Sequence, residues 1–99
     1  MQTTIDFLEG HGLAVYSTAW CPDCTRLKRW LANAGVRYEE VDIDRDPAAA
    51  EKLETGTGKR AIPFILVDGK RWVRGYHREE RSRLSAELLL KELAEATCG

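Results

Sequence analysis

Two cysteines three positions apart, placed between an apolar run and an amphipathic run, constrain this chain more than any other feature. The motif reads Cys21-Pro22-Asp23-Cys24. Residues 13–18 before it are apolar and compatible with a strand, with glycines just upstream, which predicts a short buried strand. After the motif, apolar side chains recur at helical spacing until Gly35 supplies a stop: Leu27, Trp30, Leu31 and Ala34. We therefore expect a helix that begins at or just after Cys21, with Pro22 in its first turn.

The middle of the chain predicts a second strand and a second helix. Residues 36–44 alternate imperfectly between apolar and polar side chains, which indicates a strand. Asp46-Pro47 combines a helix cap with a proline suited to the first helical position. We expect a short helix from there through Leu53, ending near Gly56.

The last third predicts a hairpin and a final helix. Residues 62–67 form an apolar run that indicates a third strand. Asp68-Gly69 predicts a two-residue turn into residues 70–74, because both positions of such a turn need positive φ. The final helix is indicated by apolar side chains at helical spacing, namely Ala86, Leu89, Leu90 and Leu93. At the other end, three apolar residues are compatible with one turn of helix: Ile5, Phe7 and Leu8.

The predicted order of elements is β-α-β-α-β-β-α, which is typical of an α/β fold. A strand–helix–strand start implies a parallel pair with a right-handed crossover, and the closing hairpin adds antiparallel strands. We therefore expect a four-stranded mixed sheet flanked by helices. The cysteine pair would lie at the carboxyl end of the first strand, where sites gather in sheets of this kind.

Length, charge and cysteine usage exclude several classes of protein. A chain of 99 residues fits one domain, so residues 1–99 are predicted to form a single domain. A net charge of −1 argues against a nucleic-acid partner. The N-terminus lacks a secretory signal, and the longest apolar-rich stretch, residues 13–22, is far shorter than the roughly 20 residues of a membrane helix. We expect a cytoplasmic monomer with no membrane partner.

Cysteines at this spacing in the first turn of a helix share one face and lie close enough to form a disulfide. The first cysteine faces free backbone N–H groups and the positive end of the helix dipole, which stabilise a thiolate. Cys21 is therefore the predicted nucleophile and Cys24 the predicted resolving thiol. Trp20 and Pro22 would offer apolar surface for docking a partner. The carboxylate of Asp23 opposes thiolate formation at Cys21, although it favours the helix start.

Other interpretations of the cysteines are weaker. A zinc site needs about four ligands, and only Cys98, His11 and His77 remain, none of them in a second paired spacing, so no metal site is predicted. Two inert core cysteines are disfavoured by the proline between them at a helix start. Cys98 is expected to be a bystander near the terminus. The two histidines are expected to be loop residues rather than catalytic groups.

In its surroundings the motif resembles that of the glutaredoxins. Trp20-Cys21-Pro22-Asp23-Cys24 follows Val15-Tyr16-Ser17 and precedes a basic helix, Ala61-Ile62-Pro63 falls where the family carries Thr-Val-Pro, and Gly75 matches its later glycine motif. The resemblance covers about residues 13–93. It implies a thioredoxin fold in a single glutaredoxin-like domain. It also implies a thiol–disulfide oxidoreductase of electron transport and cell redox homeostasis.

The resemblance further implies a cis peptide bond between Ile62 and Pro63. This bond would hold the backbone of Ile62 beside Cys21, where an extended peptide or glutathione pairs with it like an added strand. Arg60 would meet a carboxylate of the bound tripeptide. The implied substrate-binding residues are Trp20, Pro22, Arg60, Ile62, Pro63, Gly75 and Tyr76. No bound cofactor is implied, and glutathione or another low-molecular-weight thiol is the expected cosubstrate.

Departures from the glutaredoxin pattern leave the electron donor open. Thr18 stands where the family often has a lysine, and Asp23 where it usually has an aromatic residue. Residues 72–79 carry one glycine and basic side chains, and they resemble the NrdH-redoxins, which are reduced by thioredoxin reductase. Arg60-Ala61-Ile62-Pro63 is similar to the mycoredoxins, which serve a different small thiol. The expected partners are disulfide-bearing or thiolated proteins, with glutathione or thioredoxin reductase as the reductant.

Charge is unevenly distributed along the chain. Acidic residues cluster before residue 55: Glu39, Glu40, Asp42, Asp44, Asp46, Glu51 and Glu54. Basic residues cluster after it: Lys59, Arg60, Lys70, Arg71, Arg74, Arg78, Arg81 and Arg83. One interpretation is two solvated faces. The other is a basic rim near Pro63 and Gly75 that steers acidic thiols or an acidic protein partner.

A different class of function also fits the motif. The chain could be a non-catalytic binding module, either a dimer bridged by an iron–sulfur cluster on Cys21 and glutathione, or a redox sensor. The proline after Cys21 and the second cysteine disfavour the cluster, because the pair can close on itself.

Overall fold

A computed structural model describes residues 7–98 of the chain. Its elements, in chain order, are β1 (Leu13–Ser17), α1 (Pro22–Asn33), β2 (Glu39–Asp42), α2 (Pro47–Thr57), β3 (Phe64–Val67), β4 (Arg71–Arg74) and α3 (Ala86–Thr97). The predicted order of strands and helices is confirmed. Phe7 and Leu8 lie in a short 3₁₀ turn, whereas Ile5 lies outside the described residues. Between residues 7 and 98, no helix has the length and apolar character needed to cross a membrane.

The four strands form one mixed sheet in the order β2-β1-β3-β4. β1 runs parallel to β2 and antiparallel to β3, so Ala14 lies opposite Glu39 on one side and Leu66 on the other. β3 and β4 form the antiparallel hairpin. Its two turn residues, Asp68 and Gly69, have φ of 55° and 69°, as the sequence predicted. The α/β class and the four-stranded mixed sheet are confirmed.

Side chains alternate between the two faces of the sheet and form two cores. Val15 and Ile65 point to the face covered by α1 and α3, where they pack with Leu27, Leu31, Leu89 and Leu93. Tyr16 and Leu66 point to the opposite face, where they pack with Ala49 and Leu53 of α2. The sheet is therefore covered on both sides, and α1 is fixed against it along its full apolar stripe.

Polar side chains set the starts of the helices. The side chain of Cys21 accepts from the backbone N–H of Cys24 at 3.3 Å, which makes this cysteine the cap of α1. Asp46 caps α2 through the backbone N–H of Ala49 at 3.2 Å, as predicted. Ser85 caps α3 through the backbone N–H of Leu88 at 3.1 Å.

Two element boundaries differ from the sequence prediction. Helix α2 continues past Gly56 and ends at Gly58, whose φ is 78° and whose N–H donates to Glu54 O at 2.8 Å. Gly56 is instead a close-packing residue, because a Cβ there would collide with the indole of Trp72. Strand β3 begins at Phe64 rather than at residue 62, since Pro63 has no N–H to donate to the ladder.

Candidate active site

The two cysteines lie where β1 ends and α1 begins, as the sequence predicted. Cys21 keeps 7% of its surface exposed while Cys24 keeps none. Cys21 is therefore the more exposed thiol, as expected. The expectation that the motif would keep the pair out of the core is wrong, because both residues are buried. Cys24 lies one turn before Leu27 on the same stripe of α1, and this stripe faces the sheet.

The two thiols have different environments. Burial raises the pKa of Cys24 to about 12, and its hydrogen bond with Cys21 acts in the same direction. A hydrogen bond with the backbone of Thr18 opposes these effects without cancelling them. Cys24 is therefore a neutral thiol at physiological pH. An attack by a thiolate has to start from Cys21, whose sulfur lies at the helix N-terminus.

The carboxylate between the cysteines is bound by two arginines. Arg83 donates from Nε to Oδ1 and Oδ2 of Asp23 at 3.0 and 3.2 Å, and from Nη2 to Oδ2 at 2.7 Å. Arg26, one turn along α1, donates to Oδ1 as well. These contacts, with Arg83 first, hold the pKa of Asp23 below its ordinary value. Asp23 therefore does not stand as the lone negative charge that the sequence predicted beside Cys21.

Trp20 forms an exposed aromatic surface directly before Cys21. Its side chain is 70% exposed, and the indole Nε1 donates to Oδ2 of Asp44 at 2.7 Å. Pro22 is exposed on the other side of Cys21. An exposed tryptophan held by a hydrogen bond offers a large apolar contact without the entropy cost of a freely rotating side chain.

The peptide bond between Ile62 and Pro63 is cis, as the resemblance implied. Pro63 is fully buried, and its carbonyl accepts from the N–H of Gly75 at 2.9 Å. A Cβ on Gly75 would stand 2.5 Å from Cδ2 of Leu27 and 3.1 Å from the carbonyl oxygen of Pro63. The start of β3 and the end of β4 are thus packed tightly against the helix that carries the cysteines.

The two residues after Gly75 are both buried. Tyr76 is buried, with its ring 5.9 Å from that of Phe64 in an edge-on contact and the Arg78 guanidinium 5.9 Å above it. His77 is fully buried, and its Nδ1 accepts from the backbone N–H of Ser85 at 3.1 Å. Because that nitrogen accepts, the ring hydrogen lies on Nε2, which faces Oε1 of Glu92 at 3.4 Å.

Each of the two histidines makes contacts that connect parts of the fold. His77 lies in the loop before α3, as predicted, and contacts the start of that helix through Ser85. His11 lies at the hairpin end of the sheet, where its Nδ1 is 2.6 Å from Oδ2 of Asp68. Cys98 follows the last residue of α3 and is exposed. Among residues 7–98, no group of three potential metal ligands comes together.

The predicted basic rim is smaller than the sequence indicated. Arg60 is exposed but pairs with Glu54 at 3.0 Å. Arg74 is held by Glu92 at 2.7 Å and Glu79 at 2.8 Å, and these hydrogen bonds, with Glu92 first, hold the pKa of Arg74 above its ordinary value. Sequence reasoning missed the partners of Arg74 because Glu92 comes from α3 and Glu79 from the loop before it. Arg60 remains the exposed cation nearest in sequence to the Ile62–Pro63 bond.

Comparison with known proteins adds a family context. A sequence model of the glutaredoxins matches residues 13–72, which include both cysteines of the motif. A glutaredoxin from Ricinus communis is 30% identical over 73 residues, covering 71% of this chain and 72% of that protein. The structure of the glutaredoxin-like NrdH-redoxin from Escherichia coli is 31% identical, with a TM-score of 0.58, covering 66% of this chain and 83% of that one. A buckwheat glutaredoxin in complex with glutathione is 28% identical, with a TM-score of 0.54, covering 70% and 66%.

Proposed function

This chain belongs to the glutaredoxin family, and we propose that Cys21 and Cys24 are the redox-active pair with which it reduces protein disulfides and mixed disulfides of small thiols. It is a thiol–disulfide oxidoreductase with a thioredoxin fold. The observation that carries the proposal for the pair is the asymmetry of the two sulfurs. One caps a helix and keeps a small exposed fraction, and the other is a fully buried thiol whose pKa is raised to about 12.

The reaction uses the two sulfurs in turn. The Cys21 thiolate attacks one sulfur of the substrate disulfide, forms a mixed disulfide with it and releases the other sulfur as a thiolate. Cys24 then attacks the Cys21 sulfur while its proton passes to the departing substrate sulfur, which leaves as a thiol, and a Cys21–Cys24 disulfide remains. The dithiol gives up two electrons and the substrate gains them. A reductant returns two electrons to close the cycle.

The surface around Cys21 is suited to an extended substrate. We propose that Trp20 and Pro22 contact its apolar side chains, and that the backbone of Ile62 pairs with it beside the cis bond to Pro63. Gly75 lets the end of β4 pack closely behind this surface, because any larger residue would push against the buried side chains of Pro63 and Leu27. Tyr76 is buried against Phe64, and we propose that it supports this surface by packing rather than by contacting the substrate.

We propose that thioredoxin reductase, rather than glutathione, is the faster reductant of this pair. Two positions depart from the glutaredoxin pattern here. Thr18, which stands at the position of the family lysine, is 2% exposed, and His77, in the segment that follows the glycine, is committed to Ser85 and Glu92. The similarity to NrdH-redoxin, a protein with a thioredoxin-like activity profile, supports the same choice.

A side-by-side reduction of the oxidised protein tests this choice. Glutathione, a second small thiol, and NADPH with thioredoxin reductase are each supplied in turn, and free thiols at the cysteine pair are counted over time. We expect the reductase to give the highest rate at physiological concentrations. A higher rate with glutathione would refute the choice of reductant but not the oxidoreductase activity.

The alternative of an iron–sulfur-bridged dimer leads to a distinct observation. Such a dimer would be coloured and would contain iron and sulfide when it is purified without oxygen. We expect a colourless protein with neither, because Cys21 has a second sulfur in the same turn of helix with which it can close a ring.

Reversing the charge of Arg60 is expected to slow reduction by glutathione about two- to fivefold at low ionic strength, with the difference disappearing in high salt. Arg60 is the exposed cation just before the Ile62–Pro63 bond, and glutathione is an anion. The variant is Arg60→Glu, and the rate is measured over a series of salt concentrations. Lys70→Glu is the matched control, because it makes the same charge change at the opposite end of β3. Equal slowing in both variants would contradict a local role for Arg60.

A further inference from the structure

The acidic residue between the two cysteines is held by an arginine that lies 60 positions away in the chain. Arg83 approaches Asp23 side-on and engages both carboxylate oxygens, through Nε and Nη2, at 2.7 to 3.2 Å. The Asp23 side chain is only 16% exposed, while that of Arg83 is 47% exposed. A bidentate pair with one partner mostly buried is more strongly oriented than an ordinary surface ion pair.

The backbone of Arg83 is also fixed in an unusual way. Its φ is 65°, a left-handed conformation that costs a residue with a side chain about 1 kcal/mol or more. The surrounding loop compensates with two hydrogen bonds. The N–H of Arg83 donates to Glu80 O at 3.0 Å, and its carbonyl accepts from the N–H of His77 at 2.8 Å. The loop before α3 is thus shaped so that this one guanidinium reaches the cysteine motif.

We propose that Arg83 is a positioning residue that keeps Cys21 reactive by holding and offsetting the charge of Asp23. A lone carboxylate next to the nucleophile would repel the thiolate and disfavour its formation. Arg83 pulls this carboxylate to the loop side and supplies a compensating positive charge. The proposal deepens the proposed function and rests on it, since it assigns Arg83 a role in the reaction of Cys21.

Several charged groups surround the two sulfurs and define the electrostatic balance. On α1 these are Asp23, Arg26 and Lys28, of which Lys28 acts on Cys24. From the loop before α3, Arg83 acts on both Asp23 and Cys21. Arg26 alone leaves Asp23 with one partner, and that partner engages a single oxygen. Loss of Arg83 therefore removes the larger share of the compensation.

The test measures the rate at which Cys21 reacts with iodoacetamide across a range of pH. The reduced protein carries Cys24→Ser, so that only one thiol of the motif remains, and its alkylation is followed by mass spectrometry. Added Arg83→Met is expected to slow the reaction at pH 7 about three- to tenfold and to move the profile towards alkaline pH. Asp23→Asn is expected to leave the rate equal or higher. The double variant that carries both Asp23→Asn and Arg83→Met is expected to react at a rate within about twofold of that of Asp23→Asn alone.

Controls separate this role from a merely structural one. Arg81→Met removes an exposed arginine from the same loop and is expected to leave the profile unchanged. Arg83→Lys keeps the charge and is expected to restore part of the rate. The proposal would be overturned if the pH profile of Arg83→Met superimposed on that of the protein that keeps Arg83, even if the variant were less thermally stable. It would also be overturned by a double variant as slow as Arg83→Met alone, because the effect would then not act through Asp23.

The alkylation assay also keeps the two proposals distinguishable. It needs neither an electron donor nor a disulfide substrate, so it reports on Cys21 alone. A protein that shows the expected Arg83 effect but fails to reduce any disulfide would refute the proposed function and leave the positioning role in place. An active oxidoreductase without the Arg83 effect would refute only the positioning role.

Discussion

Replacing Cys21 by serine is expected to lower disulfide reduction by about two orders of magnitude or more, to the rate of the uncatalysed exchange. The serine hydroxyl is not ionised at neutral pH, and Cys24 cannot take over because burial raises its pKa to about 12. The measurement is turnover of a peptide that carries a mixed disulfide with glutathione, followed alongside reduction of a protein disulfide. Retained activity in Cys21→Ser would refute the assignment of the nucleophile.

Cys24→Ser distinguishes the two routes by which the intermediate is released. Protein disulfides need the second sulfur in the same site, so we expect their reduction to stop with the substrate trapped on Cys21, detectable by mass spectrometry. A mixed disulfide with glutathione can be released by a second small thiol, so part of that activity is expected to remain. Cys98→Ser is the matched control, because this cysteine is exposed after α3. Full reduction of protein disulfides by Cys24→Ser would contradict the dithiol route.

Gly75→Ala is expected to cost about 2 kcal/mol of the free energy of unfolding and to lower Tm by about 10 °C. The added methyl group would lie 2.5 Å from Leu27 and 3.1 Å from Pro63. Leu27 is fully buried and has no space to withdraw, and Pro63 is fixed by its hydrogen bond to Gly75. Chemical denaturation gives the stability. The value of kcat/KM is expected to fall too, because a shift of Pro63 would move the backbone of Ile62, which is proposed to pair with the substrate.

Gly12→Ala is the matched control for this prediction. A Cβ on Gly12 meets only Oδ1 of Asp68, at an ordinary contact distance of 3.9 Å. The same chemical change is therefore expected to leave Tm and kcat/KM nearly unchanged. If Gly75→Ala were as stable and as active as Gly12→Ala, the close packing of β4 against α1 would have no energetic importance.

Local signals in the sequence predicted the order of the strands and helices. The hairpin turn follows from Asp68-Gly69 because the left-handed conformation of both residues is a local property. The start of α1 follows from a cysteine and a proline that suit the cap and the first turn. Gly56 shows the limit of this reasoning. The sequence marks it as a helix end, whereas the helix continues to a left-handed cap at Gly58. Gly56 is a glycine because Trp72, from β4, occupies the space that a side chain would need.

By itself the sequence determined the order of the elements and the position of the cysteine pair, and it predicted Cys21 as the attacking sulfur, since these depend on residues within a few positions of one another. Only the tertiary structure decided how the charges are arranged. Arg83 binds Asp23, and Arg74 binds Glu92, across 60 and 18 positions of chain. A charged side chain carries no local mark of its partner, because long-range electrostatic contacts depend on how the loops and helices pack. The carboxylate between the two cysteines is therefore held by a loop far away in sequence.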